Sequence, residues 1–401
     1  MDIFDYQLNH STPPSYYDLM RQLEQPSFRA KQLAQWLWVS KQSNYAHSYD
    51  DMTNLPADLR KQLEELAPLN RGVAECVQRS KDGTRKYLIR FADGVQVEAV
   101  GLPAFEPGHL GRRSSPANQG NDSDGSNGSG DNTDVLKRPK RLTVCLSTQA
   151  GCAMGCIFCA TGKSGLIRDL TPGEIAEQVR IIGEDFKVRI SNVVAMGQGE
   201  ALQNYDATLA GLRILNAPES EGGFGIGARH ITISTSGIIK GIKQLQAEPE
   251  QFTLAVSLHS AIQATRNLLM PGLKTQTLPQ LKEALMDYFE TTQRRPSLEY
   301  ALVHKTNTTP EEIAALVHFA RETRAHVNLI PLNETGSKFK MADNVETMHT
   351  AKVLRAEGIE ATVRMRRGAD IDAACGQLKQ RLQAGHLIPK HRTEAKGSAL
   401  T

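Results

Sequence analysis

The stretch Leu142-Thr-Val-Cys-Leu-Ser-Thr-Gln-Ala-Gly-Cys152-Ala-Met-Gly-Cys156-Ile-Phe-Cys159 decides the reading of this chain. It opens as an apolar, β-branched run of strand character and ends in three cysteines spaced Cys-x3-Cys-x2-Cys. Three thiolates this close can hold three corners of a cubane [4Fe–4S] cluster, and with no fourth ligand nearby one iron stays open to a substrate. Two other uses of clustered cysteines fit less well. Zinc prefers four ligands, usually as two separated pairs, and no Cys or His follows closely after Cys159. A disulfide framework belongs to small secreted chains, whereas this one has 401 residues, 6 Cys and a start, Met-Asp-Ile-Phe-Asp, without a basic or apolar leader.

Downstream of this stretch the pattern alternates between strand and helix. Apolar, β-branched runs recur at 142–148, 192–197, 230–235, 252–258, 298–303, 327–331 and 361–365, with helix-period segments between most of them. Two helix starts are well marked. Thr171-Pro-Gly-Glu174 and Thr309-Pro-Glu-Glu312 each offer a capping hydroxyl, Pro at the first helical position and Glu at the third. Repeated βα units of this number predict a parallel sheet, curved or partly closed into a barrel, with its active site at the C-terminal ends of the strands. A doubly wound open sheet is the alternative, but no Gly-x-Gly-x-x-Gly follows the first strand.

Upstream, residues 1–75 read as a helical accessory domain, with helix-like spacing over 22–40 and again over 55–66. Residues 76–106 read as a β-hairpin element closed by Asp93-Gly94. Residues 107–135, rich in Gly, Ser, Asn and Asp, read as a flexible low-complexity insertion, 136–384 as the barrel, and 385–401 as a disordered tail. No apolar run approaches the roughly 20 residues that span a bilayer, and free cysteines favour a reducing cytoplasm. The net charge of +3 is too small to establish a polyanionic partner. Basic clusters at Lys137, Arg138, Lys140 and Arg141, at Arg294 and Arg295, and at Arg364, Arg366 and Arg367 ordinarily mark solvated faces.

Taken together, the motifs resemble those of the RlmN-type radical S-adenosylmethionine (SAM) adenosine C2 methyltransferases, the family shared with Cfr-type C8 enzymes. The matching text is Phe28-Arg-Ala-Lys-Gln-Leu33, Met52-Thr-Asn-Leu-Pro56, Asp82-Gly-Thr-Arg-Lys86, Cys145 through Cys152, Ile231-Thr-Ile-Ser-Thr-Ser-Gly237, Val256-Ser-Leu-His259 and Asp370-Ile-Asp-Ala-Ala-Cys-Gly-Gln377. The fold this resemblance implies is α/β: a partial (β/α)6 TIM-like barrel with an N-terminal helical accessory domain and a small β element. The cofactors implied are a [4Fe–4S] cluster on Cys152, Cys156 and Cys159, and two SAM per turnover. One SAM methylates Cys375, and the other is cleaved at the open iron to a 5′-deoxyadenosyl radical.

That chemistry suits adenine C2, an sp2 carbon that is neither acidic nor nucleophilic. The resemblance implies that the radical takes hydrogen from S-methyl-Cys375, that the methylene radical adds to C2, that Glu98 accepts the C2 proton, and that Cys145 attacks the Cys375 sulfur to release the base and leave a transient disulfide. Taken alone, Cys375 and Cys145 would read as small buried residues, Glu98 as a solvated carboxylate, and Cys76 has no motif around it.

The SAM contacts implied are Gly199 and Glu200 of Met196-Gly-Gln-Gly-Glu200, with Ser234, Ser257, Leu258, His259 and Asn333. His259 alone would more often be a hydrogen-bonded structural histidine. The chain departs from the family at Ala201, where Pro is usual, and at Gln198, where Met is frequent; the first puts loop rigidity in doubt. Implied partners are 23S rRNA, tRNA and an electron donor such as flavodoxin or ferredoxin, acting on a monomer. C8 methylation, another radical SAM reaction, or a noncatalytic Fe–S RNA-binding protein remain as alternatives.

Overall fold

The computed structural model describes residues 1–8, 14–39, 45–105, 139–331, 340, 342–364, 367–373 and 377–378. Three helices come first: α1 (Tyr16–Gln22), α2 (Phe28–Trp38) and α3 (Ala57–Leu66). The helix-like spacing over 22–40 is thus divided. Glu24 takes a left-handed φ of 54° and Pro26 follows, so the chain turns and restarts at Phe28. Leu33, Leu37 and Trp38 are buried, whereas Phe28 is 53% exposed.

Next come β1 (Val73–Arg79), β2 (Arg85–Arg90) and β3 (Gln96–Ala104), an antiparallel set. The expected Asp93-Gly94 hairpin is the β2–β3 pair, with Gly94 at φ 85° and its N–H bonded to the Phe91 carbonyl at 3.0 Å. β1 was not visible in the sequence, because as an edge strand it has no buried face to impose alternation.

β4 (Arg141–Cys145) pairs antiparallel with β3 and, on its other side, parallel with the next strand of the main sheet. A small ribbon, β5 (Gln149–Gly151) with β6 (Leu166–Asp169), brackets the cysteine loop. Then α4 (Pro172–Phe186), β7 (Asn192–Ala195), α5 (Tyr205–Asn216), β8 (Ile231–Thr235), α6 (Ile239–Leu245) and β9 (Thr253–Ser257) alternate. The chain continues through α7 (Gln263–Leu269), α8 (Leu278–Thr292), β10 (Ser297–Leu302), α9 (Pro310–Glu322), β11 (His326–Pro331), α10 (Asn344–Ala356) and β12 (Ala361–Val363). One ten-stranded sheet results, in the order β1-β2-β3-β4-β7-β8-β9-β10-β11-β12, parallel from β4 onward. All seven anticipated strands are present, with β4, β10 and β11 each beginning one residue before its anticipated run.

Among the described residues β1 and β12 remain as edges, so the barrel is partial. The chain beyond β12 crosses to the antiparallel edge. Arg367 donates to the Pro103 carbonyl, Gly368 N–H to Asp82 Oδ2 at 3.0 Å, and Ser80 Oγ to Asp370 Oδ1 at 2.5 Å.

Both anticipated caps form: Thr171 Oγ1 accepts from Glu174 N–H and Thr309 Oγ1 from Glu312 N–H, each at 3.3 Å. The boxes differ in their return bonds. Glu174 accepts from Thr171 N–H at 2.9 Å, but the buried Glu312 carboxylate accepts from Ser260 Oγ at 2.7 Å and so ties α9 to the loop after β9.

Candidate active site

The cysteine loop is held by backbone bonds at both ends. Cys152 N–H donates to the Gly165 carbonyl at 2.8 Å, Ile157 N–H to Leu269 at 3.1 Å, and Gly272 N–H to Met154 at 3.0 Å. Gly162 packs so close that a Cβ there would lie 2.9 Å from Cys156 N. Cys152, Cys156 and Cys159 consequently share one cavity of about 150 Å³ at the C-terminal ends of the strands.

The same cavity is lined by Gly199, Glu200, Ser234, Ser257 and His259. Gly199 needs its glycine: φ is 102°, and a Cβ would meet Gln149 Cβ at 2.6 Å. The Glu200 carboxylate accepts from Leu202 N–H at 3.0 Å and Ser236 N–H at 2.6 Å, joining the loops after β7 and β8. Leu258 contributes no lining surface; its side chain is in the core and its N–H donates to the Glu299 carbonyl at 3.0 Å. Asn333 and Cys375 lie outside the described residues.

His259 is the hydrogen-bonded histidine that the sequence alone would suggest. Its Nδ1 accepts from Ala301 N–H at 3.0 Å, its ring meets Phe158 edge-on at 4.8 Å, and φ is 56°. Burial, helped by the Arg266 charge, lowers its pKa to about 3, so it is neutral with the proton on Nε2.

Three lining residues escaped the sequence reading. The Ser236 hydroxyl is buried in the cavity wall without a partner. Glu299 lies mid-strand on β10, with burial raising its carboxyl despite Arg364 nearby; a Glu inside a buried parallel strand was the available signal. Arg364, grouped above with a solvated basic cluster, instead reaches inward to Met196 Sδ at 3.5 Å and Glu299 Oε2 at 3.6 Å.

A second cavity, about 450 Å³, adjoins the first and shares Met196, Ile330 and Arg364 with it. Its floor is a row across the sheet in which Val100, Cys145 and Val194 stand opposite one another on β3, β4 and β7. Ala373 and Leu378 pack with Cys145 and Val100 in one apolar cluster, and Thr161 Oγ1 of the cysteine loop donates to the Leu378 carbonyl at 3.0 Å. Glu98, one pleat from Val100 on the same face, is 5% exposed and pairs with Lys86 Nζ at 3.3 Å. Ser147 Oγ donates to the Glu98 carbonyl at 2.7 Å and accepts from Gln198 N–H at 2.8 Å.

Comparison with known proteins gives the chain its family. Residues 146–332 match the radical SAM superfamily and residues 8–69 match the ribosomal RNA large subunit methyltransferase N-terminal domain. A probable dual-specificity RNA methyltransferase RlmN from Symbiobacterium thermophilum is 40% identical over 375 residues, covering 92% of this chain and 90% of its own. The chain belongs to the RlmN family of radical SAM methyltransferases. An RlmN relative from Synechococcus elongatus is 38% identical over 373 residues, covering 91% of each chain. The crystal structure of a radical SAM methyltransferase from Sphaerobacter thermophilus superposes with a TM-score of 0.78 at 36% identity, covering 94% of this chain and 99% of that one.

Radical SAM membership implies a [4Fe–4S] cluster and SAM, and the cysteine cavity fits both. Burial pushes the Cys152 thiol up to about 11 and the Cys156 thiol higher still, with neighbouring thiols and Glu200 adding to the effect, so ionisation awaits a cationic group. The three thiols, the donor set a cubane cluster takes, line one cavity. The unpartnered Ser236 hydroxyl and the glycine-lined wall suit a polar ligand beside it.

Proposed function

We propose that this chain methylates C2 of adenosine in 23S rRNA and in tRNA, with Cys375 as methyl carrier, Cys145 as second thiol and Glu98 as proton acceptor. The observation that supports the reading is that Cys145 and residues flanking Cys375 line one cavity, with Glu98 buried nearby. Cys145 lies on its floor, Glu98 is on the same sheet face, and Ala373 and Leu378, described residues on either side of Cys375, pack against Cys145. The cysteine cavity adjoins it directly.

Cys152, Cys156 and Cys159 would hold the cluster, which when bound would supply one-electron chemistry toward SAM. Gly199, Glu200, Ser234, Ser257, the Leu258 backbone, His259 and Asn333 would orient SAM, with the Glu200 carboxylate able to bind its ammonium group. SAM is used twice per turnover, once for the methyl carried by Cys375. Glu98 takes the C2 proton as the base regains aromaticity. Attack by the Cys145 thiolate on the Cys375 sulfur then forms the disulfide and expels the base carbon, which takes up a proton to become methyl.

The named RlmN relatives are described as dual-specificity RNA methyltransferases, which favours two RNA substrates. An electron donor of the flavodoxin or ferredoxin class and a reducing cytoplasm complete the requirements, the latter to reopen the disulfide. No helix among the described residues is long and apolar enough to cross a membrane. Digests of rRNA and tRNA from cells with and without the gene, read by mass spectrometry against 2- and 8-methyladenosine standards, test the reading. 2-Methyladenosine in both RNAs is expected, and 8-methyladenosine would overturn it.

A further inference from the structure

The search for an unassigned functional group leads to Lys86, a lysine only 6% exposed on β2. Lys86 stands opposite Val100, and Val100 opposite Cys145, so Lys86 lies two strands from the cavity thiol on the same face of the sheet. Its ammonium is 3.3 Å from Glu98 Oε1 and donates to the Asp372 carbonyl at 3.3 Å. Asp372, at a left-handed φ of 51°, belongs to the segment that leads to Cys375. That segment is also tied to the β1–β2 turn: Lys81 N–H donates to Asp370 Oδ2 at 3.2 Å, and Gly368 N–H to Asp82 Oδ2 at 3.0 Å.

Stability does not account for this arrangement. Removing a lysine and a carboxylate from water costs about as much as their attraction returns, and an apolar pair of similar volume would hold the strands as well. What sets this pair apart is its place, two strands from the cavity thiol and bonded to the segment that leads to Cys375.

We infer that Lys86 is a positioning residue for the proposed methyl relay, joining the proton acceptor Glu98 to the segment that carries Cys375. The inference rests on the reading of Glu98 given above. The Lys86 ammonium, 3.3 Å from Oε1, fixes the orientation of the carboxylate that would take the C2 proton. Its second bond, to the Asp372 carbonyl, registers the carrier segment against that carboxylate. When Glu98 becomes protonated, the bond to Asp372 keeps the segment docked while Cys145 attacks.

The test compares Lys86→Met, Lys86→Arg and Glu98→Gln in the full-length, cluster-loaded enzyme with 23S rRNA fragments. Melting temperature, methylation of Cys375, turnover, and RNA-linked protein on denaturing gels are the readouts. Lys86→Met is expected to fold with a lowered melting temperature, because Glu98 loses its buried ammonium partner, and to methylate Cys375. Its turnover should fall about a hundredfold, the scale of a misplacement near 1 Å, while covalent protein–RNA adduct accumulates. Lys86→Arg should recover most of the turnover. Turnover in Lys86→Met within about threefold of wild type, with Glu98→Gln blocked, would overturn the role of Lys86 alone. If both Lys86 variants lose melting temperature and turnover in parallel without adduct, the residue is merely structural and the inference fails. Normal turnover in Glu98→Gln would remove the underlying reading, and this inference with it.

Discussion

Glu177→Ala should separate the accessory helices from the barrel at a cost set by one buried cluster. Glu177, on α4, accepts from Arg71 Nη1 at 2.5 Å, Gly72 N–H at 3.2 Å, and Arg180 Nε and Nη2, both at 2.8 Å. Side-chain exposure is 2% for Glu177 and Arg180 and 8% for Arg71. Arg71 also donates to the Leu37 and Ala46 carbonyls, which makes it the link between α2 and α4. Removing one partner of such a pair costs about 3–5 kcal/mol. Arg180 retains Glu184 Oε2 at 2.5 Å, which places the expected loss near the lower limit, about 3 kcal/mol.

The pH dependence follows with a definite sign. Burial raises the Glu177 carboxyl, but the charges and hydrogen bonds of Arg180 and Arg71 outweigh it and hold the group below the ordinary carboxylate value. A depressed acid contributes stability that is complete above its unfolded pKa and lost as the pH falls through the folded one. Urea unfolding at neutral pH should therefore show the full gap between wild type and Glu177→Ala, and the gap should close in acid. Hydrogen exchange should rise first in α2. A loss below about 1 kcal/mol at neutral pH, or a gap that widens in acid, would refute the reasoning.

Gly199→Ala should destabilise by about 2–5 kcal/mol, combining the strain of a positive φ with a Cβ 2.6 Å from Gln149 Cβ. Equilibrium dialysis should show weaker SAM binding, and unchanged affinity would contradict the placement of SAM. Cys156→Ala should fold but fail to retain iron and sulfide on anaerobic reconstitution, as read by metal analysis and visible absorption. Cys145→Ala should methylate Cys375 and then stall as an RNase-sensitive protein–RNA adduct on denaturing gels; normal release of methylated RNA would exclude it as the second thiol.

Features governed by local chemistry were legible in the sequence. The Cys-x3-Cys-x2-Cys loop, the Thr171 and Thr309 caps, the Asp93-Gly94 turn and the strand rhythm each depend on residues within a few positions. What escaped depends on partners far along the chain. Arg364 looked like surface charge because Glu299 and Met196, its inward partners, are remote in sequence. Lys86 lay inside a matched motif, but its proximity to Asp372 arises only when the chain beyond β12 crosses to the other edge of the sheet. Glu174 and Glu312 occupy identical cap positions, yet burial beside Ser260 redirects only the second. The break in the helix-like spacing over 22–40 was in fact marked by Pro26, whose effect the apolar periodicity concealed.

The central claim is that Cys375 carries the methyl group, and peptide mass spectrometry tests it most directly. The cluster is reconstituted anaerobically, SAM with a deuterated methyl group is added, and the peptide bearing Cys375 is sequenced. The account predicts the labelled methyl on Cys375 sulfur. An unmodified Cys375 in protein that still cleaves SAM would contradict the methyl relay and call for a different radical reaction at the same cluster.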